Sequence, residues 1–394
     1  MSEKKFVSFF KPSFDKSEEE AVCRVLDSGW LTTGTETLEF EKEFATFVGA
    51  KYALSCNSAS SGLILAMDAV GVKPGKKILT SPYTFISTAT SALHLGGEVE
   101  YVDIEKSSYN IDVNLIEEKL KKDEAKKEKE IVAIVPIHIA GNVCKMKELI
   151  TLSERYSVAI IEDAAHAFPA KTPMGYAGTI GNAGVYSFYA TKTMTTGEGG
   201  MICTNDEKIA KRIATMRSHG MDRSAWDRYT SKKASYIYDI VADGWKFNMP
   251  DILSCIGRAQ LKKATSFFES RKKIVQRYNE AFSLCDALQV PPDNEEGNAW
   301  HLYLLRLRLD MLRLTRDEIF TCLQERGLGL SVHFIPHFEF SFIKEKYKVD
   351  RKDFPESYKK FSETISLPFY PYMKDDDVEY VIQNVLDVIK SNRR

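Results

Sequence analysis

The stretch VAIIEDAAHA, Val158–Ala167, reads as a strand that runs through a core and ends in chemistry. Ile160 and Ile161 are consecutive apolar side chains, a pattern that suits a strand covered on both faces. The run ends in Glu162 and Asp163, with His166 following. Acidic groups at the carboxyl end of such a strand are expected to point into the cleft where loops meet helix N-termini. A second stretch, VYSFYATKTMTTGEGGM (Val185–Met201), has the same plan: a strand ending near Ser187, then Lys192, then a glycine-rich turn. Burying an ammonium is costly unless it is paired or neutral, and desolvation makes the amine a nucleophile towards carbonyls. By itself, a lysine beside a glycine turn is more often a phosphate contact or a surface residue.

Working outward, short apolar runs alternate with amphipathic stretches over the first two hundred residues. Strands are expected at Tyr52–Cys56, Lys77–Ser81, Glu98–Ile104, Ile131–His138, Val158–Glu162, Gly184–Phe188 and Gly200–Thr204. Helical patterns lie at Ser60–Val70, Ile86–Leu95, Leu115–Lys122 and Met146–Tyr156. This alternation predicts an α/β domain built on a mostly parallel, seven-stranded sheet. The charge run KKDEAKKEKE (Lys121–Glu130) reads as a solvated helix end and loop. Around Pro250 the texture changes to a long helical run, Asp251–Phe282, which reads as a hinge helix. Beyond it, HLYLLRLRL and LSVHFI read as strands, and Arg316–Arg326 and Asp375–Lys390 as helices. The expected division is therefore a large domain over 1–250 and a small α+β domain over 251–394.

The chain has 394 residues, room for two domains at about 100–200 residues each. Its net charge of −1 gives no global electrostatic case for nucleic acid or an anionic membrane. The N-terminal MSEKKFVSFFKPSFDK lacks a signal peptide's long apolar core, and no run is apolar and long enough to span a bilayer. Cys23, Cys56, Cys144, Cys203, Cys255, Cys285 and Cys322 are dispersed, with no C-x-x-C pair. They read as reduced thiols rather than a disulfide frame or a metal site, which points to the cytoplasm. GTIGNAG (Gly178–Gly184) precedes a strand instead of following one, so the dinucleotide fingerprint is absent.

A pyridoxal-phosphate (PLP) site needs a lysine, a carboxylate to keep the pyridine nitrogen protonated, an aromatic plate and clustered donors for the phosphate. Each has a candidate close after a strand. The ordered motifs GWLTTG (29–34), CNSASSGLILAM (56–67), SPYTFISTAT (81–90), PIHIAG (136–141), IEDAAHA (161–167), SFYATKTMTTGEGGM (187–201), GWKFNMPDI (244–252), WHLY (300–303) and LSVHFIPHF (330–338) carry a resemblance. From Phe9 to Ile389 the chain resembles the DegT/DnrJ/EryC1/StrS family of PLP-dependent sugar aminotransferases, which have the aspartate aminotransferase (type I) fold.

The resemblance implies roles residue by residue. Lys192 would carry PLP as a Schiff base and then move the proton, Asp163 would pair with the pyridinium nitrogen, and His166 would lie near the ring's 3-hydroxyl. Phe85 stands at the stacking position. Ala59, Ser60 and Ser187 would offer donors to the phosphate, and Asn248 would reach it from the partner subunit of a homodimer. The implied substrates are L-glutamate and a nucleotide-linked keto-deoxysugar. Ser60 is also readable as a helix N-cap and Phe85 as core. His138, His219 and His333 are readable as structural or substrate-facing, and Trp30–Thr33 as a loop cap or a pocket wall. Arg217, Arg223 and Lys246 are loose candidates for a diphosphate. Arg306 and Arg308, on one strand face, keep open a carboxylate substrate or another reaction on the same fold. Tyr189 and Thr193 depart from the family's usual histidine and asparagine, at positions without a chemical role. Family members with histidine at the lysine position dehydrate; lysine here implies amino transfer.

Overall fold

The computed structural model describes residues 5–222, 237–292, 294 and 296–394. Its centre is a seven-stranded sheet made by β1 (Tyr52–Cys56), β2 (Lys77–Thr80), β3 (Glu98–Tyr101), β4 (Ile131–Val135), β5 (Ala159–Asp163), β8 (Ala183–Ser187) and β9 (Gly200–Thr204). A two-stranded ribbon, β6 (Lys171–Thr172) and β7 (Gly175–Tyr176), interrupts the chain order without joining this sheet. The spatial order is β1-β9-β8-β5-β4-β2-β3. All neighbours are parallel except β9, which runs antiparallel to both β1 and β8. The chain therefore leaves the sheet at Ser187, passes through Lys192 and returns at Gly200.

The strand ends differ from the sequence reading for local reasons. β4 stops before Pro136, whose ring nitrogen cannot donate to a ladder. β3 stops at Tyr101, and Ile104 forms only an isolated bridge with Ile111. Within the charge run, Asp123 is buried and accepts from Glu130 N–H and Ile131 N–H, so this one carboxylate ties the loop to the start of β4.

Helices α1 (Lys16–Ser28), α2 (Thr35–Val48), α3 (Ala59–Ala69), α4 (Ser87–His94), α5 (Val113–Glu124), α6 (Met146–Tyr156) and α7 (Glu207–Met216) accompany the sheet. Two apolar clusters cover its two faces. One holds Phe40, Phe44, Ile134, Ile160, Tyr186 and Met201; the other holds Leu63, Ile78, Val135, Ile161, Val185 and Ile202. Side chains alternate along a strand, so Ile160 and Ile161 enter opposite clusters. Each such fully buried side chain contributes roughly 1.5–3 kcal/mol of transfer free energy.

That alternation also separates the two acids. Glu162 falls on the face of Ile160 and not in the cleft, which corrects the expectation that both acids point there. Its carboxylate is fully buried and accepts from the N–H groups of Gly178, Ile180 and Gly181, each at 2.7 Å. His138 lies 3.0 Å away through Nε2, and its Nδ1 accepts from Cys144 N–H. The GTIGNAG loop is thus a cradle for a carboxylate side chain. A Cβ on Gly184 would sit 2.1 Å from Gly178 O, so glycine is required there.

After Pro250 the chain forms α8 (Asp251–Phe282), a helix of 32 residues. Its first turn packs beside α2, where Asp251 accepts from Gly34 N–H and Thr37 N–H. Its last turns enter a third cluster with a three-stranded antiparallel sheet, β10 (Leu288–Gln289), β11 (Leu304–Leu307) and β12 (Thr364–Ser366). α9 (Arg316–Glu325) and α12 (Asp375–Ser391) complete this layer, while α10 (Ser341–Tyr347) and α11 (Pro355–Glu363) lead back to the large sheet. Asp103, beyond β3, accepts from Glu356 N–H and Ser357 N–H at 3.0 Å and so caps α11. LSVHFI does not form the expected strand. Only Ser331 bridges to Ser366, and the segment turns into the cleft instead. An N-terminal strap crosses the small layer: Val7 bridges Leu328, and Phe9 O accepts from Phe369 N–H. Among the described residues, no helix is long and apolar enough to cross a membrane.

Candidate active site

A cleft of about 600 Å³ opens at the carboxyl ends of β5 and β8. Asp163, Lys192, His166, Phe85, Ala59, Ser60 and Ser187 all line it. Asp163 arrives on the face of Ile161. Its Oδ2 accepts from Thr88 Oγ1 at 2.7 Å, and its Oδ1 from Ala165 N–H at 3.2 Å. Burial pushes its carboxyl above the ordinary range, while the Thr88 hydroxyl, the Ala165 amide and the Lys192 charge act in the opposite sense. A held but desolvated carboxylate suits a cationic partner in the cleft.

Lys192 sits half-buried in the loop between β8 and β9, its N–H bonded to Tyr189 O. Desolvation pulls its ammonium down to about 8, against the opposing attraction of Asp163. The neutral, nucleophilic amine is the form above that pH. Cofactor-free protein is therefore expected to capture PLP at a rate that rises with pH about a midpoint near 8 rather than the ordinary 10.5. Visible absorbance after rapid mixing across a pH series checks this.

His166 is held by the backbone: Ala140 N–H donates to its Nδ1 at 3.3 Å, which leaves Nε2 as the ring's donor. Burial drives its pKa well below the usual histidine value. Its ring lies 4.4 Å from that of His301 and stacks on Phe334 at 5.5 Å. His333 also lines the cleft, with Nδ1 2.9 Å from Ser366 Oγ, and Phe9 stacks on it at 5.5 Å. Phe85 is 60% exposed on the cleft wall and so is not a core side chain.

At the other end of the cleft, α3 begins. Ser58 and not Ser60 is its N-cap, accepting from Ser61 N–H at 3.1 Å. The Ser60 hydroxyl is therefore not spent on capping. The N–H groups of Ala59 and Ser60, first in the helix, have no carbonyl one turn back to bond and present the positive end of the helix dipole. Ser187, at the end of β8, faces the same space. The donor set, the carboxylate and the amine together fit PLP, and the α3 N-terminus is where donors for a phosphate gather. Gly200 lets β9 pass close by: a Cβ there would lie 2.9 Å from both Ala59 N and Ser58 C. Gly200→Ala is expected to displace the start of α3 and to weaken PLP binding about tenfold, roughly 1.4 kcal/mol, measured by cofactor titration.

Other candidates lie elsewhere. Asn248 is outside the cleft of its own chain; its Nδ2 donates to Thr33 Oγ1 at 2.7 Å, and its Oδ1 is buried without a partner. The Trp30–Thr33 loop packs against the start of α8 through Thr33 Oγ1 to Met249 O. Arg217 bonds Glu41 and Ser55 O, Lys246 bridges Ser218, and Arg223 lies outside the described residues. His219 takes a left-handed backbone at φ 61° and bonds Trp245 O. Arg306 pairs with Glu363 and Gln289, and neither it nor Arg308 lines the cleft. Sequence reasoning missed Ser58, Thr88, His301, Phe334, Phe9 and Phe10. Ser58 carried a signal, the serine directly before a helical run; the others come from segments that the fold alone brings together.

The fold and the cleft define a PLP-dependent enzyme of the type I class. The family model of the DegT/DnrJ/EryC1/StrS aminotransferase family matches residues 12–386, and the chain belongs to that family of PLP-dependent sugar aminotransferases. The spore coat polysaccharide biosynthesis protein SpsC of Bacillus subtilis is 39% identical over 387 residues, 98% of this chain and 97% of the relative. Helicobacter pylori PseC, an aminotransferase involved in the biosynthesis of pseudoaminic acid, superposes with a TM-score of 0.88 at 26% identity, covering 98% of this chain and 100% of that one. The putative sugar aminotransferase Spr1654 from Streptococcus pneumoniae, in its PMP form, also gives 0.88 at 26% identity, over 98% and 99% of the two chains.

Proposed function

We propose that this enzyme moves an amino group from L-glutamate to C3 or C4 of a nucleotide-linked keto-deoxysugar, in amino-sugar or surface-polysaccharide biosynthesis in the cytoplasm. The observation that carries the amino-transfer reading is the meeting of Lys192 and Asp163 in one cleft. The sugar reading draws support from the polysaccharide and pseudoaminic acid roles of SpsC and PseC.

Bound PLP supplies an electron sink for the bond changes at the amino carbon. The Lys192 amine would take the proton from the amino-bearing carbon and return it on the other side of the transfer. Asp163, anchored by Thr88, holds a proton on the ring nitrogen. His166, through its Nε2–H, would serve the ring's 3-oxygen. The Ala59 and Ser60 amides and the Ser60 and Ser187 hydroxyls would hold the phosphate, and Phe85 would cover a ring face.

The enzyme is further proposed to be a homodimer with a shared site, Asn248 reaching the partner's phosphate. Its position outside its own cleft supports that reading. The division at residue 250 is kept as the proposed domain boundary, with α8 as the hinge.

A panel of nucleotide-linked 3-keto and 4-keto sugars, set against keto-acids, tests the substrate. Enzyme pre-loaded with glutamate's amino group is expected to discharge on the keto-sugars and, by reversal of the loading step, on 2-oxoglutarate, and on no other keto-acid. Discharge on keto-acids alone would overturn the sugar assignment while leaving the amino-transfer chemistry intact.

A further inference from the structure

Arg271 lies about two thirds of the way along α8 and is 2% exposed. Among the described residues no carboxylate pairs with it. Its Nη1 donates instead to three carbonyl oxygens, of Trp300 at 3.3 Å, His301 at 3.1 Å and Phe369 at 3.4 Å. The guanidinium lies 4.9 Å from the centre of the Phe369 ring, and its Nε has no partner. Burial pulls its pKa down to about 9. An apolar side chain of similar volume would avoid that desolvation. A cation kept here for three carbonyls argues that the position of those carbonyls matters.

What they belong to gives the reason. Trp300 has a left-handed backbone, φ 50°, uncommon for a bulky residue and held only where its surroundings insist. The next residue, His301, donates its N–H to Ala140 O at 2.9 Å. Ala140, also left-handed at φ 59°, donates its own N–H to His166 Nδ1. A continuous path of hydrogen bonds therefore runs from the Arg271 guanidinium through the 300–301 carbonyls and the Ala140 peptide to His166. The His301 ring lies against the His166 ring as well, and its Nδ1 makes no hydrogen bond, so this ring is held by packing and by its backbone.

We propose that Arg271 is a positioning residue that fixes the Trp300–His301 turn and, through Ala140 and His301, the orientation of His166 in the cleft. The proposal rests on His166 serving the bound cofactor, but it assigns a role to a residue that touches neither cofactor nor substrate. All three bonds come from the one nitrogen Nη1; lysine at 271 keeps the charge and loses the rigid planar group that holds a donor at that point.

A double-mutant cycle between Arg271→Lys and His166→Ala tests it, with PLP dissociation constant, kcat/KM and the pH midpoint of the cofactor's visible band measured for each holoenzyme. Arg271→Lys is expected to lower kcat/KM about tenfold in the parent and less than twofold beside His166→Ala. It is also expected to move the visible-band midpoint in the same direction as His166→Ala. Equal losses in both backgrounds, or an unmoved band, would overturn the proposal and leave Arg271 a domain fastener. Should Arg271→Lys not fold, Arg271→Gln, which keeps a planar donor, takes its place in the same cycle. Failure of the Lys192 reading is seen separately, as a borohydride-sensitive band that survives Lys192→Ala.

Discussion

Lys192→Ala is expected to lower kcat by at least about 10⁴-fold, the upper range of what a positioned acid–base group contributes. The same change is expected to abolish the visible band that borohydride removes from the parent. Both outcomes follow from one geometry: among the described residues, Lys192 is the only lysine lining the cleft, and it stands near Asp163 on a loop anchored at both ends in the sheet. Loss of activity through unfolding is not expected, because removing a desolvated ammonium relieves the chain of a charge that burial disfavours. The melting temperature of the cofactor-free variant should therefore match or exceed that of the parent. A band that persists would move the covalent attachment to another residue.

Asp163→Asn is the second large effect. Removing one group that stabilises charge in the transition state typically costs about 10²–10³-fold in kcat, and a loss of that size is expected here. The loss is expected mainly in kcat, since the neutral amide cannot stabilise a protonated ring nitrogen. Steady-state kinetics with saturating cofactor check this. Cofactor-free protein should behave in the opposite sense. Asp163 has a folded-state pKa raised above its ordinary value, so its ionisation disfavours the fold once pH passes the carboxylate range. At neutral pH the cofactor-free asparagine variant is then expected to be at least as stable as the parent. A variant equally active with cofactor would remove Asp163 from the chemistry.

The central sheet was legible because its strands are written as runs of consecutive apolar residues. Ile160 and Ile161 on opposite faces state that both sides are covered, and the strands of the large sheet other than β3, which alternates as Glu98-Val99-Glu100-Tyr101, carry some form of that message. Asp163 and Lys192 were legible for a related reason, since strand ends locate clefts in a sheet of this kind. Glu162 is adjacent to Asp163 in sequence and opposite to it in space, because one step along a strand reverses the face. His301, Phe334 and Thr88 were invisible because their meaning comes from segments far apart in the chain. Only the folded backbone brings Ala140, His166 and His301 within hydrogen-bonding distance. LSVHFI has the composition of a strand, yet it lines the cleft with His333 and Phe334, so the composition reflected packing against the site and not sheet pairing.

The N-terminal strap bears on how the protein comes into being. Phe9 is fastened to Phe369 and stacked on His333, so one wall of the cleft joins residues at opposite ends of the chain. During synthesis, at roughly 5–20 residues per second, the sheet and Lys192 emerge well before that wall can close. Cofactor loading into a finished cleft therefore waits on synthesis of the segment that carries His333 and Phe369.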